Sequence, residues 1–553
     1  MSPLSKPPYL YAFATGLLLG LAFPRTLSNG GFLVFLAWVP LLVALADKGA
    51  NASRWSLISW FYLTFVVYHG ISNWWVCSWQ DKTDPYLFAS GLALWLFHPF
   101  FLMMPVVALA SIRRRLGLFW MLLCTPFAIA GFEWLHGQTD ASYPWLTTGY
   151  SLIHTPFAQV ADTVGVYGLS LLIGVVNALI VLIILLRRSN QQVKIPVAVL
   201  LAGLVVWLAV GLAKQWSWSS QGAAGTLGVV VVQPNEDPWD KWGDTRGQVG
   251  VHRALVDSSR MTFGQADLYV WSETAIPYTI RDPRFLPEWN DLKNWVDSSR
   301  VSLLTGYADI MVYGAGEAPP SARQSKADPE VRFDIFNAAM MINPSQPSIG
   351  VHRKTMLTPF AERLPFADQL TFAMSWIEWG VGISAWGKGR TREPLVVARG
   401  SDTLAKVGTI ICIESIYPEV ARDLVNNGAD VLCVITNDAW YNGTWGPEQH
   451  FDIARMRAIE QRRPVLRCAN SGVSGFIAPD GSDNPHPAIA PMTTGFARSS
   501  VRPIQQRTTY ALVGDPLPIA GLIITLLALC CARISPVLRN LPFRSTSLEQ
   551  THV

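Results

Sequence analysis

The sequence predicts a polytopic α-helical membrane domain of about eight transmembrane helices, with a layered α/β domain inserted before the last helix. Half of the 553 residues are hydrophobic and only 15% are charged, which is too apolar for an ordinary soluble enzyme. Apolar segments of membrane-spanning length crowd the first part of the chain, and one more lies near its C-terminus. Between them, short β-branched runs alternate with amphipathic segments, as is typical of an α/β domain.

The membrane-spanning segments are recognised by their length. A helix needs about 20 mainly apolar residues to cross the hydrocarbon core of a bilayer. We therefore predict a membrane domain at 1–213, an α/β domain at 214–515, and a last membrane helix with a tail at 516–553. The apolar segments lie at 9–24, 31–47, 55–73, 86–111, 117–135, 165–186, 195–213 and 516–532.

The charges of the loops predict the orientation of these helices, because Lys and Arg favour the cytoplasmic side of short loops. If the N-terminus is cytoplasmic, residues 137–163 form an outside loop, and they contain neither Lys nor Arg. We therefore expect both termini in the cytoplasm and residues 214–515 outside it. The inside loops hold Lys48, Arg54, Arg113, Arg114, Arg115, Arg187, Arg188 and Lys194.

Charge and cysteine usage exclude several classes of function. The formal net charge of +4 is small for this length and gives no reason to predict a nucleic-acid partner. The seven Cys are scattered without a CxxC pair or a zinc-ligand spacing. The sequence therefore predicts neither a disulfide framework nor a metal site, and a single working thiol is the simpler interpretation.

The α/β domain is predicted from its alternating runs. The apolar runs bounded by turn residues are predicted strands, and the segments with helical periodicity are predicted helices. The strands are Gly228–Gln233, Leu268–Trp271, Val301–Thr305, Ala338–Ile342, Ala405–Cys412, Val431–Thr436, Val465–Cys468 and Gly475–Ala478. The helices are Gly247–Phe263, Glu288–Ser299, Pro418–Asn427 and Pro447–Gln461.

Three reactive side chains, Glu273, Lys354 and Cys412, follow strand-like runs in this domain. Alone, Glu273 is an ordinary carboxylate and Lys354 a solvated cation. Cys412 differs from the buried Cys433 and Cys468, because it lies at a strand-to-helix turn, where a helix dipole and a nearby cation favour the thiolate. Together the three supply the base, the cation and the nucleophile that acyl transfer requires.

The trio, in this order and spacing, resembles the Glu-Lys-Cys triad of the nitrilase superfamily. Further phrases along the chain resemble the apolipoprotein N-acyltransferases, which are the membrane-embedded branch of that superfamily. This resemblance implies an αββα sandwich for the inserted domain. The phrases include Glu133-Trp134, Pro144-Trp145, Gln233-Pro234-Asn235, Leu357-Thr358-Pro359-Phe360-Ala361-Glu362, Thr436-Asn437-Asp438-Ala439-Trp440 and Gly446-Pro447.

The resemblance also implies a reaction. A fatty acyl chain would move from a phospholipid, through a thioester on Cys412, to the α-amino group of the diacylglyceryl-cysteine of an apolipoprotein. Glu273 would be the base, and Lys354 with the Ile413 N–H would stabilise the oxyanion. Glu362 and Glu414 would position these groups, and substrate contacts are expected from Trp242, Trp376, Trp379, Asn437 and Trp440.

The partners implied by the resemblance are the phospholipid acyl donor, the diacylglyceryl-apolipoprotein acceptor and membrane lipid. No cofactor, metal or nucleic acid is implied. We expect a monomer in the bacterial cytoplasmic (inner) membrane, with the catalytic domain on the periplasmic side.

Three residues depart from the family pattern. Ile413 follows the thiol where an aromatic residue is usual, Ala361 replaces a Gly, and His352 replaces a Tyr. Because the oxyanion contact at 413 is a backbone N–H, these departures bear on acyl-chain or acceptor preference more than on activity.

Some features leave two interpretations open. The Trp-rich segment Phe366–Trp386 is either a buried helix or a mobile lid at the membrane interface. Glu133 and Trp134, at the outer end of the fifth span, are either interfacial anchors or functional residues.

Two other functions compete with acyl transfer. A membrane-anchored carbon–nitrogen hydrolase would use the same trio on a small substrate, but one anchor would suffice for it. A scaffold or transporter would not need the trio, and the spans are nearly free of the ionisable groups that transport requires.

Overall fold

The computed structural model describes residues 8–79, 83, 85–219, 226–239, 245–314, 316–372, 386–483 and 488–534. The first part of the chain is helical. Its helices are α1 (Pro8–Ala22), α2 (Val34–Ala37), α3 (Val39–Lys48), α4 (Arg54–Ser72), α5 (Pro85–Phe97), α6 (Pro99–Leu102), α7 (Met104–Leu116), α8 (Leu118–His136), α9 (Ala161–Arg188) and α10 (Lys194–Ser219).

The second part alternates strands and helices. The strands are β1 (Leu227–Gln233), β2 (Leu268–Val270), β3 (Leu303–Val312), β4 (Arg323–Gln324), β5 (Arg332–Ile342), β6 (Gly350–Arg353), β7 (Leu395–Arg399), β8 (Asp402–Ile411), β9 (Val431–Thr436), β10 (Val465–Ala469), β11 (Gly475–Ile477) and β12 (Gly495–Val501). The helices are α11 (Thr245–Phe263), α12 (Leu286–Ser299), α13 (Pro418–Asn426), α14 (Gly446–Gln461), α15 (Thr509–Val513) and finally α16 (Pro516–Ile534).

Each apolar segment predicted to span the membrane is helical. Within the described residues, six helical segments are long and apolar enough to cross a bilayer, so the predicted number of about eight fits only roughly. The other two are α1, which has 15 residues, and α4, which carries several polar side chains. These two helices pack against each other: the Thr64 hydroxyl of α4 donates a hydrogen bond to the Ala12 carbonyl of α1.

The helix α9 is broken near its start. Gly165 has φ +68°, and a Cβ there would lie 2.4 Å from the ring of Tyr510. Glycine adopts this conformation without steric cost. The break leaves the Val166 N–H without a partner in the helix, and the Glu460 carboxylate on α14 accepts it at 2.9 Å. The inserted domain therefore completes a break in a membrane helix.

The strands form two sheets. A seven-stranded sheet has the order β12-β1-β2-β3-β5-β4 with β6 on β5, and a five-stranded sheet has the order β11-β10-β9-β8-β7. Pairing is parallel for β1-β2-β3 and for β8-β9-β10, and antiparallel elsewhere. The carboxyl ends of the parallel strands therefore gather at one edge of each sheet, where polar side chains can meet.

The two sheets pack face to face through a shared apolar core, which includes Val229, Val270, Met341, Val407, Ile435 and Leu466. Helices α11 and α12 cover the outer face of the first sheet. Helices α13 and α14 cover the outer face of the second sheet, and they pack on the membrane helices as part of one apolar cluster. This order of layers confirms the predicted αββα sandwich.

All the predicted strands and helices of the α/β domain are present, although β3 continues past its predicted end at Thr305 and β5 begins well before its predicted start at Ala338. The sequence analysis missed β4, β6, β7 and β12. Three of these strands mix polar with apolar residues, as in Gly350-Val351-His352-Arg353, and so lack the apolar run that identifies a buried strand. The fourth, β7, has such a run in Leu395-Val396-Val397-Ala398, but the run is only four residues long.

Candidate active site

The predicted trio meets at the carboxyl ends of strands from both sheets. Glu273 follows β2, Lys354 directly follows β6, and Cys412 directly follows β8. Glu273 is 6% exposed and Lys354 is 1% exposed, while Cys412 is partly buried. The turn at Glu273 lies against Gly306 of β3, where a Cβ would come within 2.5 Å of the Thr274 nitrogen. Only glycine lets the two backbones approach so closely.

Glu273 and Lys354 belong to a buried charge cluster that also contains Glu362 and Asn337. The Lys354 ammonium donates to Oε1 of Glu362 at 3.0 Å and to Oε1 of Glu273 at 3.4 Å. The Asn337 amide donates to the same two oxygens at 2.9 and 2.7 Å. The other oxygen of Glu273 accepts the backbone N–H of Asn437 at 2.8 Å. Each carboxylate is thus held by several donors, as a buried charge requires.

The cluster keeps Lys354 charged. Burial opposes the charge, but Glu362, Glu273 and Cys412 together raise the pKa of Lys354 above its ordinary value. Burial also opposes the charge of Glu362, but Lys354 and the hydrogen bonds from Thr358 lower the pKa of that carboxyl. A fixed cation therefore lies beside the thiol.

The thiol of Cys412 is neutral at rest. Burial and the neighbouring charge of Glu273 raise the pKa of Cys412 well above its ordinary value, although Lys354 and a hydrogen bond with Thr436 act in the opposite direction. The predicted effect of a nearby cation is present, since Lys354 lowers the pKa of the thiol, but desolvation and the carboxylate outweigh it. A neutral thiol needs a base before it can attack.

The backbone of Cys412 is strained. Its φ is +53°, in the left-handed region, where a non-glycine residue costs about 1–3 kcal/mol and persists only if its surroundings fix it. The residue opens a short 3₁₀ helix, Cys412–Ile416. The N–H of Ile413 lies in the first turn of that helix, where N–H groups have no partner within the helix. The Ile413 side chain is buried in the apolar cluster that joins α13 and α14 to the membrane helices.

Glu414 links the turn that follows Lys354 to the end of β8, the strand that precedes Cys412. Its Oε1 accepts the backbone N–H groups of Thr355 and Met356 at 2.6 and 3.2 Å, and its Oε2 accepts the N–H of Ile411 at 2.8 Å. His352, one of the departures from the family pattern, places its Nε2 3.4 Å from the same Oε2. Although burial opposes its charge, His352 and these N–H groups lower the pKa of Glu414 to about 2.

The predicted substrate contacts are only partly described. Trp242, Trp376 and Trp379 lie outside the described residues, as does 373–385 of the Trp-rich segment. The Asn437 side chain accepts from the Ala439 N–H and from Asn470, and Trp440 packs against Trp239 with ring centroids 5.0 Å apart. The role of these residues in substrate binding stays a prediction.

Sequence reasoning missed Asn337, Asp438 and His450. Asn337 is an isolated amide in the buried strand β5, and such a lone polar residue is a signal that could have been used. His450 places Nε2 3.1 Å from the Cys412 carbonyl oxygen, and its Nδ1 lies 2.8 Å from Asp438. Asp438 and His450 lie in or next to sequence phrases that resemble the family, but no spacing rule links either residue to the thiol. Among the described residues, no group of His, Cys, Asp and Glu could hold a metal ion.

Comparison with known proteins places this site in a family. The model of the apolipoprotein N-acyltransferase N-terminal domain matches residues 15–179, and the carbon–nitrogen hydrolase model matches residues 228–485. An apolipoprotein N-acyltransferase from Chlorobaculum tepidum is 32% identical over 495 residues, which cover 86% of this chain and 87% of that protein. The chain belongs to the apolipoprotein N-acyltransferase family.

Other members of the apolipoprotein N-acyltransferase family match over similar lengths. One from Azotobacter vinelandii is 30% identical over 543 residues, or 94% of each chain. Among solved structures, a carbon–nitrogen hydrolase from Helicobacter pylori covers 49% of this chain and 88% of its own, with 14% identity and a TM-score of 0.35. The family predicted from the sequence is confirmed.

Proposed function

We propose that this chain transfers a fatty acyl group from a phospholipid to the α-amino group of a diacylglyceryl-apolipoprotein, through a thioester on Cys412. The observation that carries the proposal is the Cys412 thiol beside a buried carboxylate and its paired ammonium, in a chain of this family. Glu273, Lys354 and Cys412 are its proposed catalytic residues.

In the first half-reaction, Glu273 accepts the proton of the Cys412 thiol. The sulfur then attacks the ester carbonyl carbon, and a C–S bond forms. The Lys354 ammonium and the Ile413 N–H stabilise the oxyanion of the tetrahedral intermediate. When the ester C–O bond breaks, the departing lysophospholipid oxygen takes the proton from Glu273.

In the second half-reaction, the α-amine of the acceptor attacks the thioester carbonyl. A C–N bond forms, Glu273 accepts a proton from the nitrogen, and the C–S bond breaks. The sulfur of Cys412 regains its proton from Glu273. One base and one cation thus serve both halves, so donor and acceptor occupy the same site in turn.

Supporting residues fix the reacting groups. Glu362 accepts from the Lys354 ammonium, and Asn337 donates to both Glu362 and Glu273. Glu414 holds the turn after Lys354 against the strand before Cys412. We further propose that Trp242, Trp376, Trp379, Asn437 and Trp440 contact the substrates.

The domain bounds, the orientation in the membrane and the route of the substrates are part of the same proposal. Residues 1–213 form the membrane domain, 516–553 supply the last membrane helix and a cytoplasmic tail, and 214–515 form the catalytic domain on the periplasmic side of a bacterial inner membrane. The loop charges support this orientation. Phospholipid and apolipoprotein reach the site from the membrane, and the chain acts as a monomer without a cofactor.

A product assay tests the proposal. The purified full chain in detergent is given phospholipid with a labelled acyl chain and a synthetic diacylated lipopeptide with a free α-amine. We expect the label in amide linkage on the peptide, and none with a peptide whose α-amine is acetylated or with Cys412→Ala. Release of free fatty acid alone would contradict acyl transfer and favour the carbon–nitrogen hydrolase alternative.

A further inference from the structure

We propose that His450 is a positioning residue that orients the peptide bond after Cys412 and thereby aims the Ile413 N–H at the oxyanion. The inference rests on the proposed function, since it assigns a device to that same site. Four observations support it: the contacts of the ring, the support behind the ring, the planarity of the peptide, and the anchoring of α14.

The ring of His450 contacts both ends of the turn that follows the thiol. Its Nε2 lies 3.1 Å from the carbonyl oxygen of Cys412 and 2.8 Å from the hydroxyl of Ser415. His450 is 3% exposed, so bulk water does not compete for these two contacts. In this proposal the ring carries a proton on both nitrogens, so that Nε2–H donates to the carbonyl of the strained residue while Nδ1–H donates to Asp438.

A buried ion pair holds the ring from behind. The Asp438 carboxylate accepts from Nδ1 of His450 at 2.8 Å, from Arg467 at 2.6 Å and from the Thr436 hydroxyl at 2.8 Å. Burial opposes the charge of Asp438, but His450 and Arg467 lower the pKa of this carboxyl. A histidine oriented by a carboxylate keeps one ring position, as in many active sites.

The geometry of the peptide bond links the ring to the oxyanion. The Cys412 carbonyl and the Ile413 N–H belong to one planar unit, in which a trans bond points them in opposite directions. No cis peptide bond occurs in the described residues. By holding the oxygen on one side, His450 therefore sets the direction of the N–H on the other side.

The membrane part fixes the helix that carries His450. The adjacent Gln449 accepts the indole N–H groups of Trp75 and Trp145 at 3.0 and 3.2 Å, and it donates to the carbonyls of Pro24 and Ser72 at 3.2 and 2.9 Å. All four partners belong to the first part of the chain. The Gln449 amide is fully bonded, so the first turn of α14 cannot rotate without breaking these contacts.

Two reagents that attack the same thiol separate this role from a general loss of structure. Acylation of Cys412 by a 4-nitrophenyl ester passes through an oxyanion, whereas alkylation by iodoacetamide does not. The His450→Asn variant keeps an amide near Asp438 but ends short of Cys412, and His450→Gln can reach the Cys412 carbonyl. The full chain in detergent is used for each variant.

We expect His450→Asn to slow acylation about a hundredfold, while alkylation changes by less than about threefold. His450→Gln should recover about tenfold of the lost acylation rate. The matched control His154→Asn removes another imidazole that contacts α14, at Asp452, and should change neither rate. The thermal unfolding midpoint is measured for every variant.

Three results would overturn the inference: an unchanged acylation rate in His450→Asn, an equal fall in both rates, or no recovery with Gln. If His450→Asn does not fold, Asp438→Asn carries the same expectation, with acylation about tenfold slower and alkylation unchanged. The nitrophenyl ester reports on Cys412 without any lipid substrate. Failure of lipopeptide acylation in the wild type would therefore count against the proposed function and leave this inference open to its own test.

Discussion

Two buried glutamates near Cys412, Glu273 and Glu414, differ in the groups that donate hydrogen bonds to their carboxylates. Glu273 is held mainly by side chains, namely Lys354 and Asn337, with one backbone N–H from Asn437. Glu414 is held mainly by backbone N–H groups and lies 0% exposed. The Glu273 carboxylate acts electrostatically on the Cys412 thiol. The Glu414 carboxylate links the backbone at Thr355 and Met356 to the backbone at Ile411.

The electrostatics follow this difference. The charge of Glu273 raises the pKa of the Cys412 thiol, so the carboxylate acts directly on the nucleophile. The pKa of Glu414 is lowered to about 2, which makes it a fixed charge at any working pH. We therefore assign proton transfer to Glu273 and support to Glu414, and the following variants test that division.

The largest effect is expected for Glu273→Gln. Loss of the base should lower kcat for acyl transfer by about a thousandfold. Removing its charge should also lower the pKa of the thiol, so alkylation of Cys412 by iodoacetamide at pH 8 should become faster. Transfer and alkylation are measured on the same preparation. Parallel loss of both rates would contradict the assignment of Glu273 as the base. The control is Glu288→Gln, at a partly exposed carboxylate on α12.

Lys354→Met is expected to come next. Without the ammonium, kcat for transfer should fall by about a hundredfold or more, because one oxyanion donor is lost. Lys354 lowers the pKa of the thiol, so its loss should slow alkylation, opposite in sign to Glu273→Gln. Faster alkylation in Lys354→Met would show that the described charge balance at the thiol is wrong. Arg353→Met, at the adjacent and more exposed cation, is the control.

Glu414→Gln should have a smaller effect on the reaction. An amide can accept only at its oxygen, so some of the N–H contacts are lost and the turns shift. We expect kcat to fall by about tenfold. The pH profile of Cys412 alkylation should stay in place, because the charges that shift the thiol are those of Glu273, Lys354 and Asp438. A shift of this alkylation profile along the pH axis would contradict the supporting role and assign proton transfer to Glu414.

The same variant carries a stability prediction. The folded pKa of Glu414 is about 2 against an ordinary value of 4.5, so its charge stabilises the fold above pH 4.5. This stabilisation, roughly 3 kcal/mol, is lost as the pH falls from 4.5 towards 2. The difference in unfolding midpoint between wild type and Glu414→Gln should therefore narrow as the pH falls from 4.5 towards 2. A constant difference would contradict it.

Thr358→Val should show the smallest effect. The Thr358 hydroxyl donates to Glu362 at 2.9 Å, but its backbone N–H donates to the same oxygen and remains. The loss of one such bond amounts to about 1 kcal/mol. We expect a fall in kcat of about fivefold at most, measured by lipopeptide acylation. A loss as large as that of Lys354→Met would mean that Glu362 does more than hold the ammonium.

The sequence predicted the parts of the molecule that periodicity and chain order determine. Apolar length identified the membrane helices, and β-branched runs identified strands such as Val431–Thr436 with their bounds unchanged. Glu273 and Cys412 each lie at the end of a predicted strand, whereas Lys354 follows β6, a strand that was not predicted. The family resemblance supplied Glu362 and Glu414 as supporting groups, and the structure shows which donors each one meets.

The sequence did not predict features that depend on distant parts of the chain meeting in space. The raised pKa of the Cys412 thiol results from burial and from Glu273, which is far away in the sequence. The bond between His450 and the Cys412 carbonyl needs α14 to be seated on the membrane helices. Edge strands such as β6 were missed because pairing, rather than an apolar run, defines them.

The most direct test of the account is the fate of the acyl group on Cys412. The full chain is mixed with phospholipid carrying a labelled acyl chain, quenched in acid and digested, and the peptide containing Cys412 is weighed by mass spectrometry. We predict one acyl group on that peptide, released by hydroxylamine, absent from Cys412→Ser, and transferred to a diacylated lipopeptide added before the quench. Acylation of the lipopeptide by Cys412→Ser, or a label on any other residue that chases to product, would contradict the thioester.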